Sequence, residues 1–176
     1  MARKKNANRA QAPAPSPHAQ SNNNTSDNAQ AGSWFLKFPP FVYDPTAGLR
    51  SNFDRLAAQR NWGEKVRRRR WVECQEEEFG NAFGTDTTKL ESWQKLCREV
   101  HISDPPESIS GCKKLLGSPK VLVNLVNLID HRNIGVGVIR FKNFGQFQAY
   151  TVPDNVYPKK RAKKDGFIKA LLRRVI

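Results

Sequence analysis

The run Leu90-Glu91-Ser92-Trp93-Gln94-Lys95-Leu96-Cys97-Arg98-Glu99-Val100 sets the fold class. Leu90, Trp93, Leu96, Cys97 and Val100 recur at three- and four-residue spacings, so they share one side of a helix. Gly84-Thr85-Asp86 breaks the chain ahead of this stripe, with Asp86 the expected cap, and Asp104-Pro105-Pro106 stops it. Downstream, Ser108 can cap a short helix that carries Ile109, Cys112, Leu115 and Leu116. Leu122, Leu125, Val126 and Ile129 then stand at helical spacing, with Asn124, Asn127 and His131 expected on the opposite, polar side. The β-branched content there favours a strand, but alternation fails at Leu125-Val126, and a helix is the reading. Residues 135–141 (GVGVIRF) read as a short extended piece, and Asn143 as the cap of a helix with Phe144, Phe147 and Tyr150. Phe167, Ile168, Leu171, Leu172, Val175 and Ile176 cover about half of a helical wheel against Lys169 and Arg173, which predicts an amphipathic terminal helix.

Upstream of the stripe, a helical run over roughly 64–83 gathers Trp71, Val72, Phe79, Ala82 and Phe83 in one arc. Arg69, Arg70, Glu73 and Glu77 lie on the other. The Arg69–Glu73 and Arg70–Glu73 spacings suit side-chain ion pairs, although arginines ahead of glutamates oppose the helix dipole. Leu49, Phe53, Leu56 and Ala57 mark an earlier helix ending near Trp62-Gly63. Before it, the aromatic stretch 34–45 (WFLKFPPFVYDP) contains Pro39-Pro40, which forbids a helix and predicts an extended arm laid over the core. The expected fold is all-α: a compact bundle of about six or seven short helices forming a single domain over residues 34–176. Residues 1–33 hold no large apolar side chain after Met1, carry three prolines and an Asn run, and predict a disordered polar and basic tail.

Charge is unevenly spread along the 176 residues, whose net charge is +14. Residues 34–134 hold 16 basic and 13 acidic side chains, whereas residues 135–176 hold 10 basic and 2 acidic ones. No stretch reaches the roughly 18–20 apolar residues of a membrane span, and the N-terminus lacks the apolar segment of a secretory signal. Three cysteines, an odd number and far apart, suit buried thiols better than a disulfide frame. An intracellular protein is expected.

The order FVYDP, Asn61-Trp62-Gly63, FGTDTTKLESWQKLC, VNLVNLID, Tyr157-Pro158-Lys159 and LLRRVI resembles a family of small uncharacterised proteins and domains of filamentous fungi. The resemblance spans about residues 34–176 and is most specific at Gly84-Thr85-Asp86, Leu90, Trp93-Gln94 and Leu96-Cys97. Phe83 and Tyr157 stand where that family would have Tyr and Phe, exchanges that keep the ring. The resemblance implies an arrangement and no chemistry, and it places Lys159, Ala162 and Lys163 in the framework of the domain.

Candidate chemistry is sparse. Cys97 and His101 are one helical turn apart and could serve as nucleophile and base or as half a metal site, which Cys74, Cys112 or His131 would have to complete. Cys97 lies on the apolar stripe, so a core thiol beside a surface histidine is the reading. Gly135-Val136-Gly137-Val138-Ile139-Arg140 begins like a dinucleotide loop but lacks the third glycine and the preceding strand. No catalytic residue, cofactor or metal is expected. Arg67, Arg68, Arg69 and Arg70 beside Trp71 could grip phosphates, yet four consecutive residues span about 300° of a helix and cannot all face one ligand, so a salt-bridged solvated face competes. Lys159, Lys160, Arg161, Lys163 and Lys164, with Arg173, form the densest basic stretch. It fits a nuclear-import signal, a phosphate-contacting stripe or a solvated loop; the neighbouring apolar helix face could also meet an anionic membrane, but serves better to close the core. The expected function is a non-enzymatic module binding nucleic acid, or another acidic partner such as a protein surface, through this segment. The competing expectations are a protein–protein interaction domain using the Trp34–Tyr43 arm or the 64–83 helix, and an enzyme of unknown reaction.

Overall fold

A computed structural model describes residues 33–162 and 166–173. Among them the chain forms a 3₁₀ turn, Trp34–Lys37, and seven α-helices: α1 Leu49–Gln59, α2 Glu64–Phe83, α3 Leu90–Glu99, α4 Ile109–Leu116, α5 Leu125–Ile134, α6 Phe144–Thr151 and α7 Phe167–Leu171. The described residues contain no strand, and the fold is all-α as the periodicity predicts.

The α3 stripe fills the interior. Trp93 and Cys97 are wholly buried and Leu96 nearly so, with Val100 closing the row at the C-cap. Asp86 does not cap α3. Its Oδ1 accepts the Thr88 amide (3.0 Å) and hydroxyl (2.6 Å), which closes an Asx turn, and the cap position falls to Lys89 with no side-chain bond. The turn is tied to the core instead by Trp93, whose Nε1 donates to the Thr87 carbonyl at 2.9 Å. Ser108 and Asn143 do cap α4 and α6, accepting from Gly111 N and Gln146 N.

Helix α2 packs on α5 and α1, α3 on α4, and α4 on α7, around one continuous apolar cluster running from Trp34 to Leu171. Buried α2 residues are Trp71, Val72, Cys74, Gln75, Glu78 and Phe79, so the stripe carries a carboxylate and an amide among its rings. Ala82 and Phe83 are only half-buried.

The arm differs from its expected extended form at its start. Pro39 restricts itself and Phe38 but not the four residues before, which wind into the 3₁₀ turn. Trp34 and Phe35 drop into the core, where Trp34 stands 4.6 Å from Phe38 and 5.9 Å from Phe53. Ser33 belongs to this structure and not to the tail: it is buried and its hydroxyl donates to Glu78 Oε1 at 2.8 Å. The rest of the expected disordered tail, residues 1–32, lies outside the described residues.

Two helix boundaries also shift. Helix α5 begins at Leu125, after a buried non-helical piece containing Val121, Leu122 and Val123, because Asn124 caps it through Val126 N and Phe141 N donates to Leu122 O (2.9 Å). Asn124 and Asn127, expected on a polar face, are buried and fully used. Asn124 Nδ2 donates to Thr151 Oγ1 (3.1 Å) and Asn155 O (3.2 Å). Asn127 accepts from Ile139 N (2.7 Å) and donates to Gly137 O (3.1 Å). At the C-terminus the helix stops at Leu171, where Leu172 turns extended. The expected helix through residue 176 is therefore less than two turns in its described part; residues 174–176 lie outside the described residues.

Candidate nucleic-acid interface

The four arginines of α2 fan round the helix and are engaged locally. Arg67 pairs with Asp54 of α1 (2.7 Å), Arg68 with Glu64, Arg69 with Glu73 (3.8 Å), and Arg70 with Glu73 (2.8 Å). Arg70 also lies over the rings of Phe38 (5.6 Å) and Trp62 (6.0 Å), which places its charge at the edge of the aromatic cluster. Each exposed pair contributes about 0–1 kcal/mol, so the run is a set of weak local ties, not a single cationic face.

The basic stretch near the C-terminus has another character. Lys159, Lys160 and Arg161 are exposed, and none has a carboxylate within 4.0 Å among the described residues. Lys163 and Lys164 lie outside the described residues. The stretch is fastened at both ends. Tyr157 is buried and its hydroxyl donates to Glu76; burial and that carboxylate push the phenol well above its ordinary pKa. Phe167 is buried against Trp93 with ring centres 4.4 Å apart.

Arg173 is not a surface cation. Its Nη2 donates to the carbonyls of Leu116, Ser118 (2.9 Å) and Val121 (2.7 Å), and its Nη1 to Leu171 and Leu172 (both 3.1 Å). Burial pulls its pKa below the usual guanidinium value. These bonds satisfy the carbonyls at the end of α4 and lock the C-terminal segment onto them, which leaves the guanidinium little capacity for a phosphate.

Ion pairs divide the molecule. Nearly all involve acids of residues 54–99, whereas the described residues from 109 to 173 hold 11 cations and only two carboxylates, Asp130 and Asp154. Both of these face α1: Asp130 accepts Leu49 N (2.7 Å) and Asp154 pairs with Arg50 (3.3 Å). Neither neutralises its basic neighbours.

A second cationic stretch, not expected from the sequence, lies ahead of α6. Arg140 and Lys142 are exposed between Ile139 (38% exposed) and Phe144 (43% exposed). Its signature in the sequence is the alternation of cation and ring in Ile139-Arg140-Phe141-Lys142-Asn143-Phe144, which also reads as an extended piece followed by a helix cap.

Cys97 and His101 are not brought together. Cys97 is sealed inside α3, its thiol pushed up to about 12 by burial and by the neighbouring Cys112 thiol, while His101 is exposed beyond the helix with φ +61°. Among the described residues no group of three His, Cys, Asp or Glu side chains could hold a metal ion, and no helix is long and apolar enough to cross a membrane. Gly135 is the left-handed C-cap of α5 (φ +72°), so the Gly-Val-Gly segment follows a helix and not the strand that a dinucleotide loop requires. Comparison of the chain with protein-family models, with curated proteins and with solved structures gave no match.

Proposed function

We propose that the protein is a non-enzymatic helical module that binds nucleic acid through phosphate contacts made by the Lys159–Lys164 stretch. The observation that carries this reading is the segregation of charge: cations at Lys159, Lys160 and Arg161 that are exposed and have no carboxylate partner among the described residues contrast with paired arginines on α2. Cations already paired would exchange one partner for another on binding, whereas unpaired ones release counterions from the polyanion. The contacts carry no base specificity. The same run has the composition of a nuclear-import signal, and a nuclear location fits this reading.

Binding should weaken steeply with salt. The triple variant K159A/K160A/R161A should flatten the slope of log affinity against log salt by about 0.9 for each duplex phosphate no longer neutralised. R68A/R69A, which removes two paired cations, should leave it nearly unchanged. A fluorescence-anisotropy titration at low salt that detects no binding would overturn the reading.

A protein–protein reading is favoured by one feature, the arm. Leu36 is 57% exposed and Val42 75%, the largest exposures of any large apolar side chains described. A complex that survives nuclease treatment and high salt, and disappears on Leu36 and Val42 substitution, would assign binding to the arm instead.

A further inference from the structure

We propose that residues 139–144 form a platform for unpaired nucleotides, with a base stacked on Phe144 and its phosphates held by Arg140 and Lys142. This inference rests on the nucleic-acid reading above and names the strand class: a single strand.

The backbone is held before any ligand arrives. Buried Asn127 grips it at Gly137 O and Ile139 N, and Phe141 N is bound to Leu122 O. Arg140 reaches two further loops through only two long bonds, to the carbonyls of His101 and Lys120 (both 3.3 Å), and unlike half-buried Arg173 it stays exposed. Phe144 is backed by a file of rings: 6.1 Å to Phe147, which is 5.7 Å from Phe141, itself 5.2 Å from Tyr150. Phe147, the ring directly behind Phe144, is buried, while Phe144 stays open to solvent.

Rigid backbone and exposed ring together lower the ordering cost of binding. An exposed ring two and four residues after exposed cations, with no acid in the sequence between Asp130 and Asp154, matches what a single strand offers. Unpaired bases present π faces for stacking and phosphates for the cations. A duplex keeps its bases stacked inside and would leave Phe144 and Ile139 uncovered. An acidic protein surface would satisfy the cations but not call for an exposed ring beside them.

The test is anisotropy with a labelled single strand of about twelve uridines and a duplex of similar length. Wild type should bind the single strand more tightly. F144A should weaken that binding by about fivefold or more without changing its salt slope, because the ring it removes is uncharged, and should leave duplex binding unaltered. F144Y, which keeps the ring, should bind as wild type does. R140A/K142A should instead flatten the single-strand slope by about 0.7 for each phosphate no longer neutralised. Wild-type affinity in F144A, or a preference for duplex, would overturn the platform while leaving the Lys159–Lys164 reading standing. Absence of binding to either probe would overturn both, and would point to a protein as the occupant.

Discussion

At the scale of single residues, Glu78 does more than its place in an acidic run suggests. It is 3% exposed, and its Oε1 accepts both Ser33 Oγ (2.8 Å) and Trp34 N (2.7 Å), fixing the arm to α2. Burial raises its pKa despite these bonds, because desolvation of the carboxylate outweighs them. Asp130 is raised for the same reason. A raised carboxylate binds its proton more tightly folded than unfolded, so its contribution to stability is complete below the ordinary carboxylate pKa. It is lost as pH climbs through the folded value. Asp44 and Asp86, held low by their threonine hydrogen bonds, act in the opposite sense and lose their contribution as pH falls below the ordinary value. Urea unfolding should therefore show stability rising as pH drops from neutrality toward the mid-acid range, then falling. Glu78→Gln should reduce that rise and cost little at pH 7, since the amide oxygen still accepts. Glu78→Ala should cost about 2 kcal/mol by leaving Ser33 and Trp34 unpaired.

At the scale of elements, period and cap residues made most helices readable. Helix α2 spans the expected 64–83, and α4 and α6 begin behind the expected Ser108 and Asn143. Misreadings came where two local signals competed. Asp86 can cap a helix or close an Asx turn, and Thr88 decided for the turn. The valine-rich 121–124 piece stays out of α5 because a distant segment, Phe141, supplies its hydrogen bond. Buried polar residues were illegible for a related reason: Asn124 and Asn127 look solvated until the partners 10 to 31 residues away are in place. Arg173 is the sharpest case among the candidate binding residues. Its spacing suits a solvent-facing cation, but the helix ends at Leu171 and the guanidinium turns inward to carbonyls 52 to 57 residues back in sequence. Arg173→Ala should accordingly lower stability by about 1.5–3 kcal/mol in denaturant unfolding. It should leave the salt slope of nucleic-acid binding unchanged.

At the scale of the whole molecule, a net charge of +14 is carried by a chain whose ion pairs among the described residues draw mostly on acids of residues 54–99, while its described residues from 109 to 173 hold far more cations than carboxylates. Self-repulsion among these cations destabilises the compact state, and screening relieves it. The melting temperature should rise modestly with added salt, and a polyanion at equal ionic strength should raise it further; thermal melts check both. The tethering of the Lys159–Lys164 stretch between Tyr157 and Phe167 adds a geometric bound on the proposed binding of polyanions. Nine residues joined to two fixed ends can rise no farther than half their contour, about 15–18 Å. That distance corresponds to only about four or five phosphates of a strand spaced at roughly 3.4 Å. If the proposed binding holds, then however many cations the stretch carries, its grip on a long polyanion is counted in a handful of charges, and copies of the protein can sit close together along one strand.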